Sequence, residues 1–227
     1  MPHVDRAVRP PHTVVPGSIG VLGGTFDPIH LGHLAIAEEV RESLGLERVR
    51  FVPTGMPVHR PEEPMAPAAD RVAMVELAIA GNPAFELSRA EVDRVGPSYA
   101  VDTIRLFSAE RQAAGQEPDL TFILSAEAYA GLATWHEAAA LLELCRMAVV
   151  PRPGVRSPDP TAMAALVKGA DRRTIVLDGP RLGIAGSAIR ARIGSGRSIR
   201  YLVPDAVARY IGDHGLYAAP LQRTLRP

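Results

Sequence analysis

Short apolar runs that alternate with segments of helical period constrain this chain more than any other feature. Ile19-Gly20-Val21-Leu22, Val49-Arg50-Phe51-Val52, Leu120-Thr121-Phe122-Ile123-Leu124, Met147-Ala148-Val149-Val150 and Thr174-Ile175-Val176-Leu177 have the length and branching of buried strands. A weaker strand candidate covers residues 85–92. Between these runs, residues 34–44 place Ile36, Val40 and Leu44 at i, i+4 and i+8 with Gly45 as a stop, and residues 68–80 and 99–114 read as further helices. Shorter helices are expected at 127–132, 137–144, 187–193 and 204–211. Strands that alternate with helices are joined by right-handed crossovers, which puts them parallel in one sheet covered on both faces. The expected class is a doubly wound α/β fold. In such sheets ligands bind at the carboxyl ends of the strands, so the loops after Leu22, Val52, Leu124 and Val150 should carry the chemistry.

At 227 residues the chain suits one elaborated domain, expected over residues 19–217. Four prolines in residues 1–18 read as a flexible tail, and residues 218–227 as another. Hydrophobic residues at 47% and charged residues at 22% exclude a disordered or collagenous chain. Lys and Arg number 25, as do Asp and Glu, a balance that argues against a general nucleic-acid binder. Cys145 is the single cysteine, so neither an intrachain disulfide nor a thiolate-rich zinc site can form, and a reducing compartment fits best. With no signal-like apolar segment near the start and no apolar run of ~20 residues, a cytoplasmic protein without a membrane span is expected. Association into a homo-oligomer stays open.

The strongest local signal is Gly23-Gly24-Thr25-Phe26-Asp27-Pro28-Ile29-His30-Leu31-Gly32-His33. It lies between the first strand and the first helix, where backbone N–H groups and the helix dipole favour an anion. Gly23 and Gly24 lack a Cβ and permit close backbone approach, Thr25 adds a hydroxyl donor, and Asp27-Pro28 sets a turn. His30 and His33, three apart, can face one side and donate to the same polyphosphate. A capping or surface histidine pair is the plainer alternative. A zinc site needs more ligands than these two, so no metal-ligating residue is expected. The spacing is neither a Walker loop nor a GxGxxG fingerprint.

This segment resembles the HxGH motif of the nucleotidyltransferase superfamily, and its spelling is most similar to that of the bacterial nicotinate mononucleotide adenylyltransferases. The similarity continues in Pro57-Val58-His59-Arg60, in Arg71 with Met74, in Gly96-Pro97-Ser98-Tyr99-Ala100-Val101-Asp102-Thr103 and in Leu132-Ala133-Thr134-Trp135. It runs on through Arg152-Pro153-Gly154, Ile184-Ala185-Gly186-Ser187-Ala188-Ile189-Arg190, Leu202-Val203-Pro204 and Gly215-Leu216-Tyr217, spanning about residues 19–217 in order. Three departures stand out: Ser125-Ala126-Glu127 where the family has Gly-Ala-Asp, Ala185-Gly186-Ser187 where it has Ser-Ser-Thr, and Ala100 where it has Thr.

The resemblance implies a Rossmann-like nucleotidyltransferase fold and adenylyl transfer from ATP to nicotinate mononucleotide in NAD biosynthesis, giving nicotinate adenine dinucleotide and pyrophosphate. The acceptor's phosphate oxygen attacks the α-phosphorus of ATP, so no protein nucleophile is needed and catalysis reduces to positioning and charge stabilisation. His30, His33 and Arg190 are the implied catalytic residues. Gly23, Gly24, Thr25, Phe26 and Ser187 join them in binding ATP, with Mg2+ held mainly through phosphates and water. His59, Arg60, Ser98, Tyr99, Trp135 and Arg152 are the implied acceptor contacts, with Trp135 stacking on the pyridine ring. Arg71 is a further candidate phosphate contact, and Asp102 a hydrogen-bond anchor for its helix. The plainer alternatives are Ser187 as an N-cap, Arg190 as a solvated helix residue and Trp135 as an ordinary core aromatic. Competing functions are a paralogue using another acceptor, such as nicotinamide mononucleotide, and a non-catalytic nucleotide-binding protein of the same fold.

Overall fold

A computed structural model of the chain describes residues 14–58, 66–155 and 158–218. Its strands are β1 (Val15–Gly24), β2 (Leu46–Pro53), β3 (Phe85–Leu87), β4 (Leu120–Ser125), β5 (Arg146–Val150) and β6 (Thr174–Val176). They form one sheet in the order β3-β2-β1-β4-β5-β6, every neighbouring pair parallel. Helices α1 (Leu31–Leu44), α2 (Ala68–Ile79) and α3 (Ala100–Ala113) connect the first four strands in turn. Helices α4 (Ala126–Ala130) and α5 (Ala138–Leu144) lie between β4 and β5, α6 (Ala170–Arg173) precedes β6, and α7 (Gly186–Gly194) and α8 (Asp205–Asp213) close the domain. The doubly wound α/β class and its Rossmann-like order are as expected. The strand order reverses between β1 and β4, and in doubly wound sheets the crevice above such a reversal is where ligands generally bind.

The central strands are apolar on both faces because helices cover both. Ile19 and Val21 of β1, Leu120, Phe122 and Leu124 of β4, and Met147 and Val149 of β5 pack into one core. The alternate residues Leu22, Ile123, Ala148 and Val150 pack into the other. Burial on both sides removes the hydrophobic-polar alternation that would mark a half-exposed strand and leaves continuous apolar runs. Within β1, Gly20 is required by space: a Cβ there would stand 3.0 Å from the Ile123 and Leu46 side chains. Helix α1 ends where the sequence places its stop, at Gly45, with φ 63° and its N–H on the carbonyls of Arg41 and Glu42.

Some boundaries differ. The first strand starts at Val15, so residues 15–18 are not part of a tail: Val15 pairs with Leu46 and donates to the Gly45 carbonyl at 2.8 Å. Pro16 and Gly17 hide this stretch because they break the apolar pattern, and the register shifts between Val15 and Ile19. The run at 85–92 pairs only over Phe85–Leu87. Beyond it, Ala90 bonds the Ser88 hydroxyl and Asp93 bonds the Arg89 carbonyl, so local turns capture the backbone. The helix expected at 127–132 breaks at Gly131 into α4 and a 3-10 turn at Leu132–Thr134.

Candidate active site

The turn from β1 into α1 lies at the switch point of the sheet. Phe26 adopts φ 50°, a strained conformation for a residue with a side chain, and its ring is 2% exposed against Phe51 and His33. The ring of Phe26 is therefore core, and what this residue can offer a nucleotide is main chain. Arg71 is likewise 2% exposed and donates to the carbonyls of Thr25 at 2.8 Å and Ala66 at 3.2 Å. It is a strut beneath the turn rather than the phosphate contact its charge suggested.

His30 and His33 stack with ring centroids 3.7 Å apart and planes 19° from parallel. Burial, then the charge of Arg152, lowers the His30 pKa from 6.5 to about 4, and His33 is held well below its ordinary value by burial, by His30 and by Arg152. Both rings are thus neutral in the free protein near pH 7. The Nδ1 of His33 accepts a hydrogen bond from the His30 main-chain N–H at 3.2 Å, so its proton sits on Nε2, a tautomer that leaves Nε2–H as a donor. Here the ring of His33 does what Glu or Gln does in a capping box. Gly32 between them is needed because a Cβ would lie 3.0 Å from Nδ1 of His30.

A cavity of about 240 Å3 opens beside this turn, lined among others by Gly23, Gly24, Thr25, Ser98, Tyr99 and Trp135. The indole of Trp135 meets Phe122 edge-on at 6.1 Å, so it is a half-buried wall of the cavity and not an ordinary core aromatic. Also in the lining, the rings of Tyr99 and His136 stack at 4.1 Å. The hydroxyl of Ser98 is engaged within the protein, accepting from the main-chain N–H groups of Gly55 at 3.0 Å and Met56 at 3.2 Å. Ser98 therefore shapes the cavity by tying two loops together. Glu91, also in the lining, is 7% exposed and accepts from Thr103 Oγ1 at 2.8 Å; burial raises its pKa above the ordinary carboxylate value.

On the far side of the turn, Arg190 of α7 donates through Nη1 to the Asp27 carbonyl at 2.7 Å and stands 3.4 Å from the Asp27 carboxylate. Its side chain is 17% exposed, which rules out the solvated-residue alternative. The N-cap of α7 is Ala185, so Ser187 sits in the first helical turn and is not a cap. Arg152, whose charge acts on both histidines, pairs with Glu127 Oε2 at 2.9 Å. Two residues of the first departure acquire local roles: Ser125 caps α4 by accepting from Ala128 N at 3.2 Å, and Glu127 tethers Arg152. Asp102 lies in the first turn of α3 but faces Arg105 at 3.6 Å; the cap residue is Tyr99 and its side chain makes no capping bond.

The fold thus gathers Gly23, Gly24, Thr25, His30, His33 and Arg190 around one turn, and Ser98, Tyr99 and Trp135 around the adjoining cavity. His59 and Arg60 lie outside the described residues. The sequence reading passed over His136 and Glu91. The adjacency of His136 to Trp135 was a usable signal, because in extended backbone two neighbouring side chains can serve opposite walls of one slot. Glu91 gave none, since its burial depends on Thr103 and Ser98 from elsewhere in the chain.

Residues 21–192 match the Cytidylyltransferase-like family. A Roseiflexus sp. protein named "Probable nicotinate-nucleotide adenylyltransferase" is 48% identical over 199 residues, 88% of this chain and 97% of its own. A Dehalococcoides mccartyi protein of the same name is 41% identical over 201 residues, 87% of this chain and 96% of its own. The Plasmodium falciparum nicotinic acid mononucleotide adenylyltransferase complexed with NaAD superposes with a TM-score of 0.71 over 88% of this chain and 97% of that one, at 15% identity. At that identity the likeness is one of fold.

Proposed function

The chain belongs to the Cytidylyltransferase-like family and, within it, to the nicotinate-nucleotide adenylyltransferases, and from this premise we propose that it transfers the adenylyl group of ATP to nicotinate mononucleotide. The products are nicotinate adenine dinucleotide and pyrophosphate, a step of NAD biosynthesis. The observation that carries this reading is the stacked, neutral imidazole pair set beside a cavity walled by Trp135. A phosphate oxygen of the acceptor forms the new bond to the α-phosphorus as the bond to the pyrophosphate oxygen breaks. No group of this chain enters the covalent change, so the protein contributes alignment and charge stabilisation.

His33 donates from Nε2 to the triphosphate, and His30 beside it donates likewise as charge moves onto the leaving oxygens. Neutral donors suit this task, since they bind the polyanion without the ring having to be charged beforehand. Arg190 and the first turn of α7, with Ser187, hold the outer phosphates, and Gly23, Gly24, Thr25 and the main chain of Phe26 lie against the nucleotide. Trp135 and Tyr99 flank the pyridine ring, while Arg152, with His59 and Arg60, meets the acceptor's charge. Among the described residues no group of three or more His, Cys, Asp or Glu could cage a cation. As the family resemblance implies, magnesium is assigned to the ATP phosphates and water, where it would neutralise their charge. Among the described residues no helix is long and apolar enough to cross a membrane, and we place the enzyme in the cytoplasm with its substrates.

The test is chromatographic detection of dinucleotide and pyrophosphate from ATP and magnesium with nicotinate mononucleotide, nicotinamide mononucleotide or phosphopantetheine. Product chiefly from nicotinate mononucleotide is expected, and His33→Ala should lower turnover by roughly a hundredfold or more with the fold intact. Normal turnover by that variant would overturn the site; product only from another acceptor would overturn the substrate.

A further inference from the structure

Two parts of the motifs have no role in the scheme above: the Asp27 carboxylate and the Gly215-Leu216-Tyr217 segment at the end of the domain. After α8 the chain reverses at Gly215, with φ 59°, and the Leu216 N–H bonds the Ile211 carbonyl at 3.0 Å. Tyr217 itself adopts φ 63°, a costly conformation for a residue with a side chain. This turn brings its hydroxyl to Asp27 Oδ1 at 2.6 Å, across 190 residues of sequence.

Asp27 is 5% exposed and serves as a junction. Its Oδ1 accepts from Tyr217 and also from the Ala66 N–H at 2.9 Å, where the loop after β2 enters α2. Its Oδ2 stands 3.4 Å from Nη1 of Arg190, and the same Nη1 donates to its carbonyl. The first residue of α7 is pressed so close that a Cβ on Gly186 would lie 2.9 Å from that carbonyl oxygen. Burial and the neighbouring carboxylate hold the Tyr217 phenol well above its ordinary pKa, so it remains a donor throughout the working range.

We propose that Tyr217 and Asp27 are positioning residues for adenylyl transfer: the Tyr217 hydroxyl fixes the Asp27 carboxylate, and Asp27 in turn fixes the direction of the Arg190 guanidinium. Asp27 Oδ2 is buried and accepts no hydrogen bond among the described residues, so the two donors on Oδ1 are what hold the carboxylate in place beside Arg190. Removing the phenol leaves Oδ1 with the Ala66 N–H alone, and the carboxylate can then rotate toward Arg190 and draw the guanidinium off the outer phosphates, where charge develops as pyrophosphate leaves. Arg has several rotatable bonds, so a small shift at its anchor becomes a larger one at its tip. The burial of the carboxylate and the cost of the Tyr217 backbone fit such a role, because a surface strut needs neither.

This inference rests on the role given to Arg190 above, and the experiment separates the two. The kinetics of Tyr217→Phe, Arg190→Ala and the double variant are measured with ATP, magnesium and nicotinate mononucleotide, beside Val207→Ala, which removes buried volume from α8 away from the junction. Tyr217→Phe should lose roughly ten- to a hundredfold in kcat with the KM for the acceptor little changed. The double variant should be no slower than Arg190→Ala, and Val207→Ala should be destabilised while keeping its kcat. If Arg190→Ala is slow but Tyr217→Phe turns over normally, or if the two effects multiply, the inference falls. Should Val207→Ala lose as much kcat as Tyr217→Phe, the effect is one of general stability, and the inference again falls. Should Arg190→Ala itself turn over normally, the failure lies in the role assigned to Arg190.

Discussion

The low pKa of His30 makes the folded state refuse a proton that the unfolded chain accepts, and this can be read as a stability difference between pH 7.5 and pH 5. Above pH 6.5 the ring is neutral in both states and there is no penalty. As the pH falls from 6.5 toward 4, the unfolded state gains the proton first, so stability rises with pH across that window and is lost on acidification. A displacement from 6.5 to about 4, at about 1.36 kcal/mol per pH unit, caps the effect near ~3 kcal/mol. At pH 5, where the unfolded ring is almost fully charged and the folded one is not, about 2 kcal/mol is expected. Urea unfolding of the parent protein and His30→Gln at both pH values isolates this contribution, because the carboxylates are common to both proteins. The parent should lose about 2 kcal/mol more than the variant between pH 7.5 and pH 5, and its His30 proton resonances should titrate well below the ordinary imidazole value of 6.5. Adding ATP should move the His30 titration upward, since phosphate favours the charged ring. Equal losses in the two proteins, or a His30 midpoint near 6.5, would show that the ring is solvated and that the neutral-donor account is wrong.

Two further outcomes follow from the cavity. Trp135→Ala, which removes its aromatic wall, should raise the KM for nicotinate mononucleotide by roughly tenfold or more while leaving the KM for ATP nearly unchanged; parallel changes in both would place the indole elsewhere in the reaction. Gly55→Ala would drive a Cβ to 2.2 Å from the Glu91 carbonyl, so the two loops tied by Ser98 must separate; a loss of about 1–3 kcal/mol in thermal or urea unfolding is expected, and a fully stable variant would show that this contact is slack.

What the sequence makes legible, and what it hides, divides along a physical line. The sheet was readable because both faces are covered, so that the strands of the crevice appear as continuous apolar runs, and because Gly45 and Gly23-Gly24 punctuate them in the expected places. The histidine pair was readable because three-residue spacing at a helix start brings two rings together whatever the rest of the chain does. Roles set by long-range packing were not. Arg71 and Phe26 carry the same letters whether they face a ligand or support the turn beneath it, and only their burial against Thr25, Ala66 and Phe51 decides. The hydroxyl of Ser98 looks like a substrate contact until Gly55 and Met56, more than 40 residues away, are seen to occupy it. Glu127 shows the same in reverse: as a longer carboxylate than the family's Asp it reads only as a departure, yet it meets Arg152 at 2.9 Å, whose charge adds to burial in holding the two imidazoles neutral. A departure within a motif is therefore best judged by the partner its new length can reach, and here that partner acts directly on the two rings proposed to carry the chemistry.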